Sequence, residues 1–349
     1  MEIFVTPFTV HKKVPLTISR GTTAESTNLW VRITADQVEG WGEATPFSVE
    51  AHKQTTQVIQ QELAGLMPVL EPLHPLQRQQ IEPLLESVGS ATRAAIDMAL
   101  HDWLGKHVGL PLWQLWGLDC ELIGPTAVTV GLSKPEAACQ RWQQWLAQVP
   151  TVKSIKVKLG SPDGIQADQA MLSALLAELP QGIKISVDAN GGWQLDGAIE
   201  MANWLAERGV TYIEQPLPVA LDTKLGELSA RSPLPIFVDE SCFTSQDIPR
   251  LAEHVQGINI KLMKAGGISE ALRMIHTARA CQLQVMFGCY SDSALSNTAL
   301  AHLAPLADHL DLDSHLNLVD DPFQGATIQA GRLLPHEAPG LGVIRNPHL

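Results

Sequence analysis

The chain opens on alternating hydrophobic and polar positions, the two-residue period of strands with one buried face. The alternation predicts strands over residues 2–10 and 29–33, then a turn at Val38, Glu39 and Gly40 with a return through Trp41 and Gly42. This reads as a small antiparallel sheet. From Gln54 to about Lys106 the apolar positions recur at helical spacing, and Ala94, Ala95, Met98, Ala99, Asp102 and Trp103 mark a helix with small residues on its packing face. Residues 1–115 are therefore expected to form an α+β domain.

After Pro125 the pattern changes. Short β-branched runs end on polar residues, and an amphipathic stretch follows each: 127–131, 154–158, 183–188, 212–214, 236–239, 258–261, 284–288 and 308–311. They recur roughly every 25 residues, the period of a strand–helix unit. Ile199, Ala202 and Ala206 fall on one helical face ahead of Gly209, a residue suited to the position after a helix. Eight such units in series predict an α/β fold, a (β/α)8-type barrel over residues 116–320 behind the N-terminal capping domain. Residues 321–349 are expected as a tail that packs back on the capping domain. In parallel barrels the chemistry sits at the C-terminal ends of the strands, so the polar residues that end these runs are the candidates.

Composition narrows the function classes. With 349 residues, 45% hydrophobic and 17% charged, the chain can bury a large core and is neither disordered nor fibrous. Its net charge of -13, with no basic run, argues against nucleic acid or any other polyanion as partner. Five widely spaced cysteines without a CxxC pair point to a reducing compartment. The N-terminus lacks an apolar run behind a basic start, and nowhere do 18 apolar residues follow one another. A cytoplasmic protein with no membrane partner is expected.

In Ser154-Ile155-Lys156-Val157-Lys158, strand alternation puts both lysines on one face. Two ammonium groups there are costly to desolvate unless they reach a polar mouth or an anionic ligand. Asp188, Glu214 and Asp239 end three successive strands. Adjacent strands lie about 4.8 Å apart, so carboxylates at matching depth converge and call for a cation. Oxygen-only ligands suit Mg²⁺ better than zinc. A single Asp at such a place could equally cap the next helix, a role for which Glu214 is poorly suited. The sixth strand ends at Lys261, which shares a face with Asn259. Strands two and six oppose each other in a closed barrel, so Lys158 and Lys261 flank the metal strands. A carbon acid held between them can lose a proton from one face and regain it on the other. Nearby cationic charge would lower a lysine toward its neutral, basic form. Lys264 reads as an exposed or supporting lysine and has no assigned role.

The set Lys156-x-Lys158, Asp188, Glu214-Gln-Pro, Asp239-Glu-Ser and Lys261-x-x-Lys-x-Gly-Gly resembles the enolase superfamily, specifically its muconate-lactonising subgroup. Gly40-Trp-Gly-Glu-Ala-Thr-Pro resembles that family's capping motif, and Ala95-x-Asp97-x-Ala99-Leu-x-Asp102 its last capping helix. The resemblance implies Asp188, Glu214 and Asp239 as Mg²⁺ ligands, Lys158 and Lys261 as the acid/base pair, and Lys156 beside the substrate carboxylate and enolate. Asp311 and Asp313 share a face on the eighth strand and resemble the DxD motif of dipeptide epimerases. Two carboxylates there can receive a dipeptide's N-terminal ammonium; the competing account is a solvated Asp-rich loop.

The resemblance also places side-chain selection in loops near residues 18–23 and 46–52. Arg20, in the first, is the candidate to meet an acidic second residue such as Glu, though its offset from Thr23-Ala24-Glu25-Ser26 is shifted by a residue from the Ala-Glu epimerase pattern. The implied activity is that of an isomerase, the Mg²⁺-dependent epimerisation of the C-terminal residue of a dipeptide. o-Succinylbenzoate synthase and N-succinylamino acid racemase use the same lysines and carboxylates, but their substrates have no free ammonium for Asp311 and Asp313. A mandelate-racemase-like enzyme would carry a His where Phe287-Gly288-Cys289 stands. A catalytically silent binding barrel is the non-enzymatic alternative, disfavoured by the complete set of lysines and carboxylates. The sequence leaves the dipeptide's identity and the oligomeric state open, with room for a homo-oligomer.

Overall fold

A computed structural model describes residues 1–49 and 52–346. Its N-terminal strands are longer than hydrophobic alternation predicts: β1 (Glu2–Ile18) and β2 (Gly21–Ala35) pair antiparallel from Glu2↔Thr34 to Ile18↔Gly21, and β3 (Val38–Ala44) adds beyond β2. The extra length comes from Thr17, Ile18, Thr22 and Thr23, β-branched residues that favour strands without alternating in polarity. The ladder slips between His11 and Leu16. The loop expected at 18–23 is thus a tight hairpin tip, Ser19 and Arg20, on two long strands. β4 (Phe47–Val49) and β5 (His52–Gln54) pair antiparallel; the expected loop at 46–52 includes Glu50 and Ala51, which lie outside the described residues.

The long helical stretch divides into α1 (Thr56–Leu70), α2 (Arg78–Leu85) and α3 (Ser90–Val108), parted by two prolines, Pro72 and Pro75, and by Gly89. The Thr55 side chain accepts the Val58 N–H and starts α1. α3 lies directly against β3. A Cβ at Gly42 would collide with the Ala95 carbonyl and one at Gly40 with the Ala99 carbonyl, so the glycines and the alanines together permit the contact.

A short helix, α4 (Leu112–Leu115), leads into eight parallel strands: β6 (Ala127–Val130), β7 (Ser154–Lys158), β8 (Lys184–Asp188), β9 (Val210–Glu214), β10 (Ile236–Val238), β11 (Gly257–Ile260), β12 (Gln284–Phe287) and β13 (His309–Leu310). Each expected run falls on one of them. Neighbours in sequence are neighbours in the sheet, and a Thr126–Leu310 bridge brings the first and last together. The crossovers are α5 (Pro135–Gln148), α6 (Ile165–Glu178), α7 (Leu195–Ala206), α8 (Leu225–Arg231), α9 (Ile248–Leu251), α10 (Leu262–Ala265), α11 (Ile268–Ala280) and α12 (Ala294–Leu303). Most buried apolar side chains form one core through sheet, helices and barrel, and Tyr212, Phe237 and Met286 form a second, small cluster. No described helix is long and apolar enough to cross a membrane.

Beyond residue 320, Phe323–Gln324 pairs with Ile344–Arg345, Leu341 N–H reaches Asp102 Oδ1 at 2.7 Å, and Leu112 N–H reaches Gly340 O at 3.1 Å. The buried His302 of α12 joins this closure: Nδ1 accepts the Trp113 N–H at 3.3 Å and Nε2 lies 3.1 Å from Leu341 O. Only a neutral ring with its proton on Nε2 makes both bonds.

Burial pushes His302 down to about 4, against about 6.5 in an unfolded chain. Below pH 6.5 the unfolded state binds a proton that the folded state refuses, so this residue's contribution is intact above 6.5 and is lost as pH falls toward 4. The loss amounts to about 3 kcal/mol. Urea unfolding of wild type and His302→Gln between pH 7 and 4.5 should show the shallower pH slope in the variant; equal slopes would refute the assignment.

Candidate active site

Alternation along β7 brings Lys156 and Lys158 to the barrel interior, and the register sets Lys158, Asp188 and Glu214 side by side on β7, β8 and β9. Asp239 stands higher, because Phe237 of β10 is the residue level with Glu214. Lys156, Asp188 and Glu214 are fully buried, and Lys158, Asp239 and Lys261 are at most 6% exposed. The structure thus collects every sequence-expected metal and lysine residue at one end of the barrel.

Each charge there has a short partner. Lys158 Nζ is 2.5 Å from Asp188 Oδ2, and Lys261 Nζ is 2.6 Å from Asp239 Oδ2. Lys156 Nζ reaches Glu214 Oε2 at 2.6 Å, Asp311 Oδ2 at 2.8 Å and Asp188 Oδ2 at 3.3 Å. Burial opposes charge on Lys156, but Asp311, Glu214 and Asp188 overcome it and raise the group well above the lysine range. Lys261 is likewise raised by Asp239 against its burial. The expected lowering presupposed a cation; the carboxylates alone act the other way.

The carboxylates respond unequally. Despite burial, Lys158 and Lys156 hold Asp188 down to about 2, and Lys261 and Lys264 hold Asp239 well below the carboxylate range. Glu214 goes the other way, up to about 7, through burial and repulsion from Asp188. Its Oε2 accepts no aligned hydrogen bond, and Asn190 Oδ1 and Glu240 Oε2 are also buried without a donor. Among the described residues no three carboxylates gather around one point; each is engaged by an ammonium instead. The donor set nevertheless fits a hard divalent cation, being buried, oxygen-only and, at Glu214, under repulsion from the neighbouring Asp188 carboxylate.

Three contributors escaped the sequence reading. Lys264 is buried, donating to Asp239 O, to Asp239 Oδ1 at 2.7 Å and to Asn259 O at 2.9 Å. In a continuing strand it would face away from Lys261, but the chain turns into α10, and one helical turn brings residues three apart to the same side. Asn259 Nδ2 donates to Glu214 Oε1 at 2.8 Å, for which its shared face with Lys261 was the available signal. Asn190, at φ 44°, donates its backbone N–H to Asp188 Oδ1 at 2.8 Å.

The capping residues close the mouth. Arg20 pairs with Glu240 Oε1 at 2.7 Å and donates to Asn190 O at 3.0 Å, so the guanidinium expected to meet an acidic substrate is engaged within the protein. Ser19 Oγ donates to the same carbonyl. Below lies a cavity of about 620 Å³ bordered by Ile18, Phe47, Lys158, Lys261 and Tyr290. Phe47 and Tyr290 stack at 4.9 Å, and the Tyr290 ring centre is 4.6 Å from Lys261 Nζ. Across the barrel, Thr129 N–H donates to Asp313 Oδ2 at 2.6 Å, and Thr129 Oγ1 lies 3.1 Å from Asp311 Oδ1. Asp311 and Asp313 are nearly buried rather than in a solvated loop.

Residues 1–117 match the model of the mandelate racemase / muconate lactonizing enzyme N-terminal domain, and residues 137–348 match that of the enolase C-terminal domain-like family. The chain is 43% identical over 335 residues to a hydrophobic dipeptide epimerase of a Flavobacteria bacterium, covering 96% of this chain and 95% of that one. It is 41% identical over 344 residues to a hydrophobic dipeptide epimerase of Roseobacter litoralis, covering 96% of each. The fold superposes with TM-score 0.90 and 29% identity on the Enterococcus faecalis dipeptide epimerase complexed with Mg and L-Leu-L-Tyr, covering 98% of each chain.

Lys264→Met removes one of two ammonium partners from a buried carboxylate. Breaking a buried pair costs about 3–5 kcal/mol; with Lys261 still in place, the destabilisation should lie near 3 kcal/mol by urea unfolding. A variant as stable as wild type would show that Lys264 does not balance Asp239.

Proposed function

The chain belongs to the mandelate racemase / muconate lactonizing enzyme family of the enolase superfamily, and from that premise we propose that it is an isomerase that inverts the α-carbon of the C-terminal residue of a dipeptide. One observation carries the proposal: Lys158 and Lys261 border the same cavity from the second and sixth of eight strands. In this reading residues 1–115 select side chains and the barrel, residues 116–320, carries the chemistry. Asp188, Glu214 and Asp239 would hold Mg²⁺, which when bound supplies positive charge to the substrate carboxylate and to the enolate it becomes.

The protein's own groups do the rest. One lysine, neutral, removes the α-proton from its face; the other, as ammonium, delivers a proton to the opposite face, and the roles exchange in the reverse direction. Lys156 adds fixed positive charge at the inner end of the site. Phe47 and Tyr290 keep water from the Lys261 side, preserving the proton for the substrate. Asp311 and Asp313 receive the N-terminal ammonium, with Thr129 holding both carboxylates in place. Apolar side chains at the epimerised residue are favoured by the walls, Leu16, Ile18, Phe47 and Tyr290, by the engagement of Arg20 with Glu240, and by the hydrophobic preference named for the relatives at 41% and 43% identity. Five unpaired cysteines suit the reducing cytoplasm.

Deuterium incorporation from solvent into L,L-dipeptides with an apolar C-terminal residue, read by mass spectrometry, tests this. Wild type should exchange the α-proton and form the epimer with Mg²⁺ present, lose both after exhaustive chelation, and regain both when Mg²⁺ is restored. Lys158→Met and Lys261→Met should each lower epimerisation roughly 10³-fold, while one of them still exchanges the proton that its remaining lysine faces. Wild-type epimerisation by both variants would remove the lysines from the reaction.

Asp311→Asn and Asp313→Asn keep shape and remove charge. A hydrogen bond to a charged group is worth about 1.5–3 kcal/mol, so each substitution should lower kcat/KM roughly ten- to a hundredfold. N-acetylated dipeptides should be poor substrates of wild type and lose little further in the variants. Equal turnover of N-succinyl amino acids and free dipeptides by wild type would overturn the role of the pair.

A further inference from the structure

A second cavity of about 170 Å³ adjoins the first. Lys12, Leu16, Lys158 and Tyr290 border both, and Asp311, Asp313 and Arg141 line the second. A dipeptide with its α-carbon between Lys158 and Lys261 and its ammonium on the aspartate pair would send the side chain of its N-terminal residue this way. What that side chain meets is two cations.

Lys12 sits where β1 loses register, and its backbone is fixed by a bridge to Leu318 and by the His11 carbonyl accepting the Val319 N–H at 2.9 Å. Its ammonium is largely desolvated, and among the described residues it has neither hydrogen bond nor ion pair; Asp313 and Asp292 act on it only at longer range. Arg141 is in direct contact with neutral partners, Asn317 Oδ1 at 2.9 Å, Gln144 Oε1 at 3.4 Å and the Trp145 ring, whose centre is 4.0 Å away, and Asp313 acts on it at longer range. The carboxylates nearby are otherwise engaged, Asp311 by Lys156 and Asp313 by the Thr129 N–H. A largely desolvated ammonium with no carboxylate in direct contact is costly and is relieved by an anion that reaches it. A guanidinium recognises a planar carboxylate through two parallel N–H bonds.

We propose that Lys12 and Arg141 form a subsite for an acidic side chain, aspartate or glutamate, on the N-terminal residue of the dipeptide. This rests on the dipeptide reading above and extends it to the residue that is not epimerised. The carboxylate, two or three bonds from the α-carbon, enters between the two cations, while the α-ammonium stays on Asp311 and Asp313. A cationic N-terminal side chain is rejected by like charge.

The measurement compares Glu-Leu with its neutral isostere Gln-Leu on the Mg²⁺-supplied enzyme. Wild type should favour Glu-Leu at least tenfold in kcat/KM, mainly through KM, and Lys12→Met should bring the ratio close to one. Lys12→Glu, which keeps a charge at the position, should turn the preference toward Lys-Leu. Dipeptides ending in 2-aminoisobutyrate have no α-proton, so calorimetric affinities for the Glu and Gln forms read the subsite without turnover and should show the same ratio. A wild-type ratio near one, or a ratio unchanged in Lys12→Met, overturns the subsite and leaves Lys12 as a distant counter-charge to the aspartates. Absence of exchange with every dipeptide overturns the parent reading as well as this one.

Discussion

Four ammonium groups, Lys156, Lys158, Lys261 and Lys264, share one end of the barrel with six carboxylates, Asp188, Glu214, Asp239, Glu240, Asp311 and Asp313, all of them nearly or fully withdrawn from water. Desolvating any one of these charges costs several kcal/mol, offset by pairing within the cluster and, for Asp313 and Glu240, by the Thr129 N–H and by Arg20. The remaining architecture serves this balance. Parallel strands carry the charges to a common height, closure of the barrel brings β7 opposite β11, and the capping hairpin delivers Arg20 to Glu240, the carboxylate beside Asp239. Glu214 is the least settled member: Lys156 Nζ lies 2.6 Å from its Oε2 without an aligned hydrogen bond, and burial and Asp188 push the group up to about 7.

The two parts of the chain are joined by the same kind of interaction. Glu43 of β3 is fully buried and accepts from Asn28 Nδ2 at 2.7 Å, Ser293 N–H at 3.0 Å, Ser293 Oγ at 2.6 Å and Ser296 N–H at 3.1 Å. It thereby seats a capping-sheet carboxylate on the N-terminus of α12, where free N–H groups and the helix dipole favour negative charge. Burial and the neighbouring Asp292 push it up to about 8. On α3, Asp97 accepts from Ser269 N–H at 2.9 Å, and Asp102 from Trp41 N–H at 2.8 Å. The Gly-Trp-Gly-Glu-Ala-Thr-Pro segment and the aspartates of α3 therefore act in docking. They hold the cap in the position from which β1 and its hairpin reach the barrel mouth.

That position divides the labour within the site. The barrel supplies the charge cluster, while β1 of the cap borders both cavities through Lys12 and Leu16, and the larger one also through Ile18. Among the described residues none of β1 bonds to a member of the charge cluster; the contact to Glu240 comes from Arg20, at the hairpin tip beyond the strand.

By itself the sequence determined the eight strand–helix units, the residues that end them, and the shared face of Lys156 and Lys158. These are local periodicities, because a strand repeats every two residues and a crossover helix sets the spacing between strands. Tertiary structure alone decided which charge pairs with which. Lys264 turned inward because the strand stops at Lys261 and a helix begins. Arg20 met Glu240 because threonines with no polar alternation lengthened the hairpin until its tip reached the barrel. Lys12 and Arg141, far apart in sequence, came to border one cavity when β1 crossed the end of the barrel near β6. Such partnerships depend on a distance in space that no periodicity encodes, and in a desolvated site that distance sets the energy of every charge.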